Sequence, residues 1–274
     1  MISDITVGQF FPGNSVLHRI NPAMKLILTL IFIVDVFLAE TALSMGVMLI
    51  AVMSMIPIAG ISVKTVLRSL KPLRIIMIFT AVLNIFMAKG EKPLFSRWIF
   101  TVYPEGLIRT VLIVVRVIIL LVGTTLLVSY TTSPIALTDG LEQLLSPLKK
   151  LHLNVHEFSM MMTIALRFIP TLIEETEKII SAQKSRGADF STGSPIKRIK
   201  ALIPIFIPLF VSCIRRAEEL ATAMECRCYN GGIGKTRMNV IKYRPIDFLA
   251  LLCFAALGAG IVFLNTVPSG MFSL

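Results

Sequence analysis

The sequence predicts an all-α polytopic membrane protein with about five transmembrane helices and a domain of long cytoplasmic helices inserted before the last span. Three observations carry this. Hydrophobic residues fill 55% of the 274 positions and charged residues 16%, whereas a soluble domain is about one quarter charged. Five apolar runs approach the ~20 residues that a bilayer-crossing helix needs. The roughly 115 residues between the fourth and fifth runs are of mixed polarity and strongly basic.

The runs cover about Ala23–Glu40, Thr41–Ile61, Leu73–Lys89, Gly106–Tyr130 and Pro245–Val267. Only the Glu40-Thr41 corner separates the first two, which predicts a tight hairpin. No short apolar segment with a small-residue cleavage site precedes Leu26, so no cleaved secretory signal is expected. The formal charge of +11 resembles a nucleic-acid signature until it is mapped. Arg19 and Lys25 lead into the first run, Lys64, Arg68, Lys71 and Arg74 fill the second connection, and sixteen Lys or Arg lie between Lys149 and Arg244. The connection after the third run holds only Lys89, Lys92 and Arg97, offset by Glu91 and Glu105. The positive-inside rule therefore predicts a cytoplasmic N-terminus, second connection and long insert. Topology accounts for the basic excess, and no nucleic-acid-binding motif accompanies it.

Three helices are readable in the insert. Ser133-Pro134 opens the first, since proline suits the first helical position, and Leu137, Leu141, Leu144, Leu145 and Leu148 form its apolar stripe. Asn154 caps the second, which carries Phe158, Met161, Met162, Ala165, Phe168, Ile169 and Leu172 on helical spacing and meets Pro170 as a kink. Gly187 supplies a left-handed stop. The third starts near Lys197, passes Pro204 and Pro208, and is expected to run to about Cys228 before Asn230-Gly231-Gly232 ends it.

The last two of these helices share an ending. A shift of 41 positions carries Glu177 onto Glu218, Ile179 onto Leu220, Ala182 onto Ala223 and Arg186 onto Arg227. The plain reading of one such ending is local, because a cation in the last turn complements the helix dipole by about 0.3–1 kcal/mol. Two matched endings on one inferred cytoplasmic domain favour recognition, since a guanidinium is a planar five-donor fork for a partner's carboxylates.

Other candidates fit bland roles better. Gly234-Lys235-Thr236 looks like the end of a phosphate loop, but the required earlier glycine is Tyr229 and no strand precedes it. His152 and His156 are four apart without a nearby third ligand. Cys213, Cys226, Cys228 and Cys253 show no paired framework, so no disulfide is expected. Glu174-Glu175-Thr176-Glu177 followed by Lys178 reads as a solvated face. Asp35, Arg109 and Arg116 lie inside apolar runs, where depth permits an ion pair. Met160, Met161 and Met162 offer flexible thioethers that suit either a core or a surface accepting several partners.

The paired endings resemble the Ala-Arg-Gly motifs of the transmembrane T component of energy-coupling-factor (ECF) transporters, bacterial importers of vitamins and trace metals. Ser15-Val16-Leu17-His18-Arg19-Ile20-Asn21-Pro22-Ala23-Met24-Lys25-Leu26 is similar to that family's lead into its first span. The resemblance covers nearly the whole chain. It implies a non-catalytic scaffold in the bacterial cell membrane, with residues 1–130 as a membrane domain, 131–244 as a cytoplasmic coupling-helix domain and 245–274 as the last span with a short tail. It implies that Ser185-Arg186-Gly187 and Cys226-Arg227-Cys228 dock onto two ATP-binding subunits, identical or different, one arginine each. This sequence has Ser185 and Cys226 where the family has alanine, and Cys228 where it has glycine. A small membrane S component would select the substrate, with Met160, Met161 and Met162 as candidate contacts. No cofactor is expected on this chain; ATP and Mg belong to the partners. The alternative, a membrane enzyme acting on lipid or prenyl substrates, would need clustered carboxylates, His or Ser at the membrane surface, which the sequence does not offer. A self-sufficient carrier would need inverted repeats and broken helices, which it also lacks.

Overall fold

A computed structural model describes residues 10–87, 95–97, 100–102, 104–147, 154–188, 190, 194–231 and 243–266. The chain divides into two compact units, Gly8–Leu141 with Ile241–Leu274, and a second built on Glu142–Val240. The architecture is all-α and polytopic.

The first unit contains α1 (Val16–Arg19), α2 (Pro22–Leu38), α3 (Ala42–Ala59), α4 (Val63–Leu70), α5 (Arg74–Met87), α6 (Pro104–Thr124) and the later α10 (Pro245–Thr266). α6 continues as a π-helical turn over Thr125–Ser129. Strands β1 (Phe95–Arg97) and β2 (Phe100–Val102) add a short antiparallel ladder with Phe95 opposite Val102, a feature the apolar pattern does not announce. α7 (Pro134–Leu145) follows α6, opened by Pro134 as the sequence predicts.

Among the described residues three helices are long and apolar enough to cross a membrane: Ala42–Ala59, Gly106–Ser129 and Pro245–Thr266. α2, with 17 residues, and α5, described over 14, are shorter than the spans expected at Ala23–Glu40 and Leu73–Lys89. The 40–41 corner is confirmed, with α2 stopping at Leu38 and Thr41 capping α3 through a reciprocal exchange with Ser44. Yet α2 packs chiefly on α10 and α6, and α3 chiefly on α6 and then on α1 and α10 alike. The two helices of the expected hairpin are joined through their neighbours.

Burial explains that choice. Leu28, Phe32 and Val36 recur every four residues along one side of α2 and are wholly or almost wholly buried with Met48, Ile119, Leu126 and Ile261. The ring of Phe32 lies against the backbone of Gly123 on α6, and the carboxyl group of Asp35 lies against Gly258 on α10, where a β-carbon at either glycine would collide. Small residues let helices approach this closely inside a membrane.

Both ends of α2 are tied to its neighbours by polar bonds. At the N-terminal end Lys25 is 1% exposed and its Nζ donates to the Thr131 carbonyl at 2.7 Å, the Thr131 hydroxyl at 3.1 Å and the Thr132 hydroxyl at 2.9 Å. A cation at the carboxyl end of α6 complements that helix's exposed carbonyls. Asp247 at the start of α10 accepts from the backbone N–H of Asn21 at 2.9 Å and of Arg244 at 2.6 Å. At the other end the Asn265 amide donates to the Leu38 carbonyl, and Arg116 donates to the Ala39 carbonyl, each at 2.5 Å.

The ion pair expected among Asp35, Arg109 and Arg116 is therefore not formed. The closing carbonyls of α2 have no intrahelical partner, and they capture Arg116 instead. Arg109 is exposed, and the Oδ2 of Asp35 is buried with no hydrogen-bond partner among the described residues.

Candidate functional site

The second unit is dominated by α8 (Val155–Ser185) and α9 (Pro195–Cys226), helices of 31 and 32 residues. Asn154 occupies the N-cap position of α8 and Ser194 that of α9, with Pro195 opening the helix. Pro170 lies inside α8, and Pro204 and Pro208 lie inside α9.

Their carboxyl ends are built alike. At the first, Gly187 N–H donates to the Lys184 carbonyl at 2.9 Å and Ala188 N–H to the Gln183 carbonyl at 3.0 Å. At the second, Cys228 N–H donates to the Glu225 carbonyl at 2.8 Å and Tyr229 N–H to the Met224 carbonyl at 3.0 Å. This double bond pattern, with a left-handed residue after the cap, is the Schellman motif. Arg186 has φ −87° and ψ 7°, and Arg227 has φ −89° and ψ 11°. The left-handed positions are Gly187 at φ 84° and Cys228 at φ 57°. Every partner in one set maps onto the other by the 41-residue shift.

α9 ends at Cys226, close to the expected Cys228, but the stop does not wait for Gly231: Cys228 itself takes the conformation that normally requires glycine. The reason is in the hydrogen bonds: the Met224 and Glu225 carbonyls need donors at the helix end, and only a left-handed Cys228 aims two N–H groups back at them. Arg186 and Arg227 are both exposed. No ion-pair partner holds either one among the described residues.

A polar contact joins the two helices upstream. Glu175 Oε2 accepts from Arg216 at 2.9 Å, and Glu175 Oε1 accepts from the Ser212 hydroxyl. Glu175 is thus not on the solvated face expected of it. Ser212 foremost, with Arg216, holds its carboxyl below the usual carboxylate range, partly opposed by burial. The same 41-residue shift carries Glu175 onto Arg216, so the contact lies at one and the same position of the repeat.

Gly231, just beyond α9, stands beside Glu157 near the start of α8, so the helices run antiparallel. Antiparallel helices touching at equivalent positions are related by a local two-fold axis through the contact. Each arginine lies eleven residues beyond it, about 16 Å along a straight helix and three full turns on. The two endings therefore point in opposite directions, up to roughly 33 Å apart.

Other parts of this unit are apolar and uncovered. Ile199, Ile203, Phe206 and Phe210 follow one face of α9 at 64, 50, 65 and 54% exposure. On α8, Met161 and Met162 are exposed while Met160 is half-buried.

The remaining candidates are not brought together. His156 Nδ1 lies 3.1 Å from Glu142 Oε1, and His152 falls outside the described residues, as do Gly234, Lys235 and Thr236. Among the described residues no group of three or more His, Cys, Asp or Glu is arranged to hold a metal ion. Cys213, Cys226, Cys228 and Cys253 are free thiols. Lys25 and Asp247 organise the membrane unit, yet in the sequence each reads only as an ionisable group at the edge of an apolar run, like the charges that set topology.

A family model described as "Cobalt transport protein" (CbiQ) matches residues 13–239. Among curated proteins, the energy-coupling factor transporter transmembrane protein EcfT of Clostridium kluyveri is 49% identical over 256 residues, covering 92% of this chain and 94% of that one. EcfT of Acidaminococcus fermentans is 48% identical, covering 97% and 98%, and EcfT of Bacillus subtilis is 41% identical, covering 97% and 100%.

Proposed function

The chain belongs to the CbiQ family of transmembrane components of energy-coupling factor transporters, and on that footing we propose that it is the non-catalytic part that converts ATP hydrolysis on two partner subunits into movement of a substrate-binding S component. The observation that carries this reading is the pair of equivalent helix endings on opposite sides of a local two-fold axis, each presenting an exposed arginine with no ion-pair partner among the described residues. A two-fold pair of grips suits a pair of ATPase subunits, identical or similar, with one arginine on each. In this reading Ser185 and Cys226 are small enough to let a partner's groove close around Arg186 and Arg227. ATP and Mg stay on the ATPases.

The Glu175–Ser212–Arg216 contact makes the arms move together, because no proline interrupts Glu175–Arg186 or Arg216–Arg227. Closure of the ATPases would displace both arms, and the displacement would reach the S component through the exposed apolar surfaces, Met160, Met161 and Met162 among them. The cargo in this reading is a vitamin or a trace metal, and residues 131–244 together with the N-terminus face the cytoplasm of a bacterial cell membrane.

The test is ATP-dependent uptake into vesicles by the complete transporter carrying Arg186→Glu and Arg227→Glu together. Uptake is expected to vanish while the chain still inserts. Normal uptake by the double variant overturns the reading.

A further inference from the structure

A cavity of about 550 Å³ lies where α4, α5 and α6 meet, away from both helix endings in the chain. Lys64, Arg68, Lys71 and Arg74 all line it. The first three are spaced four and three apart and so share one face of α4 and its last turn, while Arg74 opens α5. Ser62 caps α4 by accepting from the Thr65 N–H at 3.3 Å, and Val66 turns the opposite face of α4 into the core.

Among the described residues this positive charge is uncompensated. No Asp or Glu occurs between Ile61 and Met87, no described Asp or Glu lines the cavity, and no described side chain pairs with any of the four cations. The wall below them is of opposite character. Met77, Ile78 and Ala81 follow Arg74 on one face of α5, and Val114 of α6 closes the other side. Leu67 and Leu70 stand among the cations on α4, and from Arg74 to Ala81, about 10 Å of helix, the lining loses its charge and becomes wholly apolar, over the distance from a phospholipid headgroup to its upper acyl chain. A free phosphate would leave the apolar wall unused, and an uncharged lipid would leave four cations unused.

We propose that this cavity seats an anionic phospholipid, its phosphate among Lys64, Arg68, Lys71 and Arg74 and its upper acyl segment against Met77, Ile78 and Ala81. The proposal does not depend on what the two arginine endings grip.

Native mass spectrometry tests it on the full chain released from micelles containing equal amounts of phosphatidylglycerol and phosphatidylcholine. Retention of phosphatidylglycerol at least ten-fold over phosphatidylcholine is expected. Each Lys or Arg to Gln change in the cavity should weaken retention roughly five-fold, and the four together should remove the preference. Because these cations also direct insertion, Ala81→Trp serves as the second variant: it keeps every charge, fills the apolar end and should also lower retention. Lys178→Gln, Lys197→Gln, Lys200→Gln and Arg215→Gln combined form the charge control and should change nothing. Equal retention of the two lipids overturns the proposal, as does a preference that survives Ala81→Trp or that the control set removes. Displacement of the lipid by soluble glycerol phosphate overturns it in favour of a free-phosphate site.

Discussion

The ending of α8 and the ending of α9 adopt the same backbone with different residues at the position that matters most. Gly187 enters the left-handed region at φ 84° without a side chain to obstruct it, whereas Cys228 enters at φ 57° carrying one. A β-carbon in that region costs roughly 1–2 kcal/mol. That the chain accepts this cost shows that the conformation is imposed by the helix end and its two N–H donors. Glycine makes the motif easier to form, but the pattern of carbonyls in need of donors is what specifies it.

The largest effect that would separate the two endings is functional. Arg186→Glu and Arg227→Glu made singly are each expected to reduce ATP-dependent uptake more than ten-fold if each arginine serves one ATPase. Uptake lost with one variant and retained with the other would break the equivalence while leaving the shared backbone intact. Next in size is Gly187→Val, which puts a branched side chain at φ 84° and should destabilise the unit by about 2 kcal/mol, the upper end of the cost of a β-carbon there. Cys228→Gly should act in the opposite direction. Relief of strain exceeds the extra freedom that glycine brings to the unfolded chain, leaving a net stabilisation of about 0.5–1 kcal/mol. Thermal unfolding of the purified chain measures both, and a destabilised Cys228→Gly would mean the thiol makes a contact that outweighs strain.

Smaller again is the contact about which the endings are paired. The side chains of Arg216 and Glu175 are 38% and 23% exposed, so solvent screening limits Glu175→Gln to about 0.5–1 kcal/mol. Its uptake defect should exceed what that loss of stability produces, because both arms lose a common reference point. The pH dependence follows from the lowered carboxyl. A group whose folded pKa is depressed contributes its stability above the unfolded value and loses it as pH falls through the folded one. The α8–α9 contact should therefore be intact from neutral pH down to the ordinary glutamate range near 4.3 and weaken only below it. A weakening already present at pH 6 to 7 would contradict the assignment.

The all-α membrane class was legible because apolar length and charge placement are one-dimensional signals. So was the repeat: Arg186 and Arg227 are found by sliding the sequence on itself. What could not be read is what depends on partners distant in the chain. Lys25 meets Thr131 and Thr132, and Asn21 meets Asp247; nothing local distinguishes these from topology-setting surface charges. Arg116 was readable as an ionisable residue at membrane depth, but the carbonyls of α2 compete for it with Asp35, and only the fold decides that competition. Glu175 sits in a run that looks solvated until α9 supplies Ser212 and Arg216. At Cys228 the usual preference for glycine at a helix stop gives way to the donors that the stop requires.

The polar ties at the two extremities of α2 carry a mechanical consequence. Lys25 and Asn21 fasten one extremity to α6 and α10, and the Leu38 and Ala39 carbonyls fasten the other to Asn265 and Arg116. A rod pinned twice to the same two neighbours can neither slide nor spin against them, so α2, α6 and α10 constitute a stator. Deformation during a transport cycle has to be taken up by helices outside that trio, and the backbone amides of Leu28 to Val36 should be the slowest in the protein to exchange with deuterium.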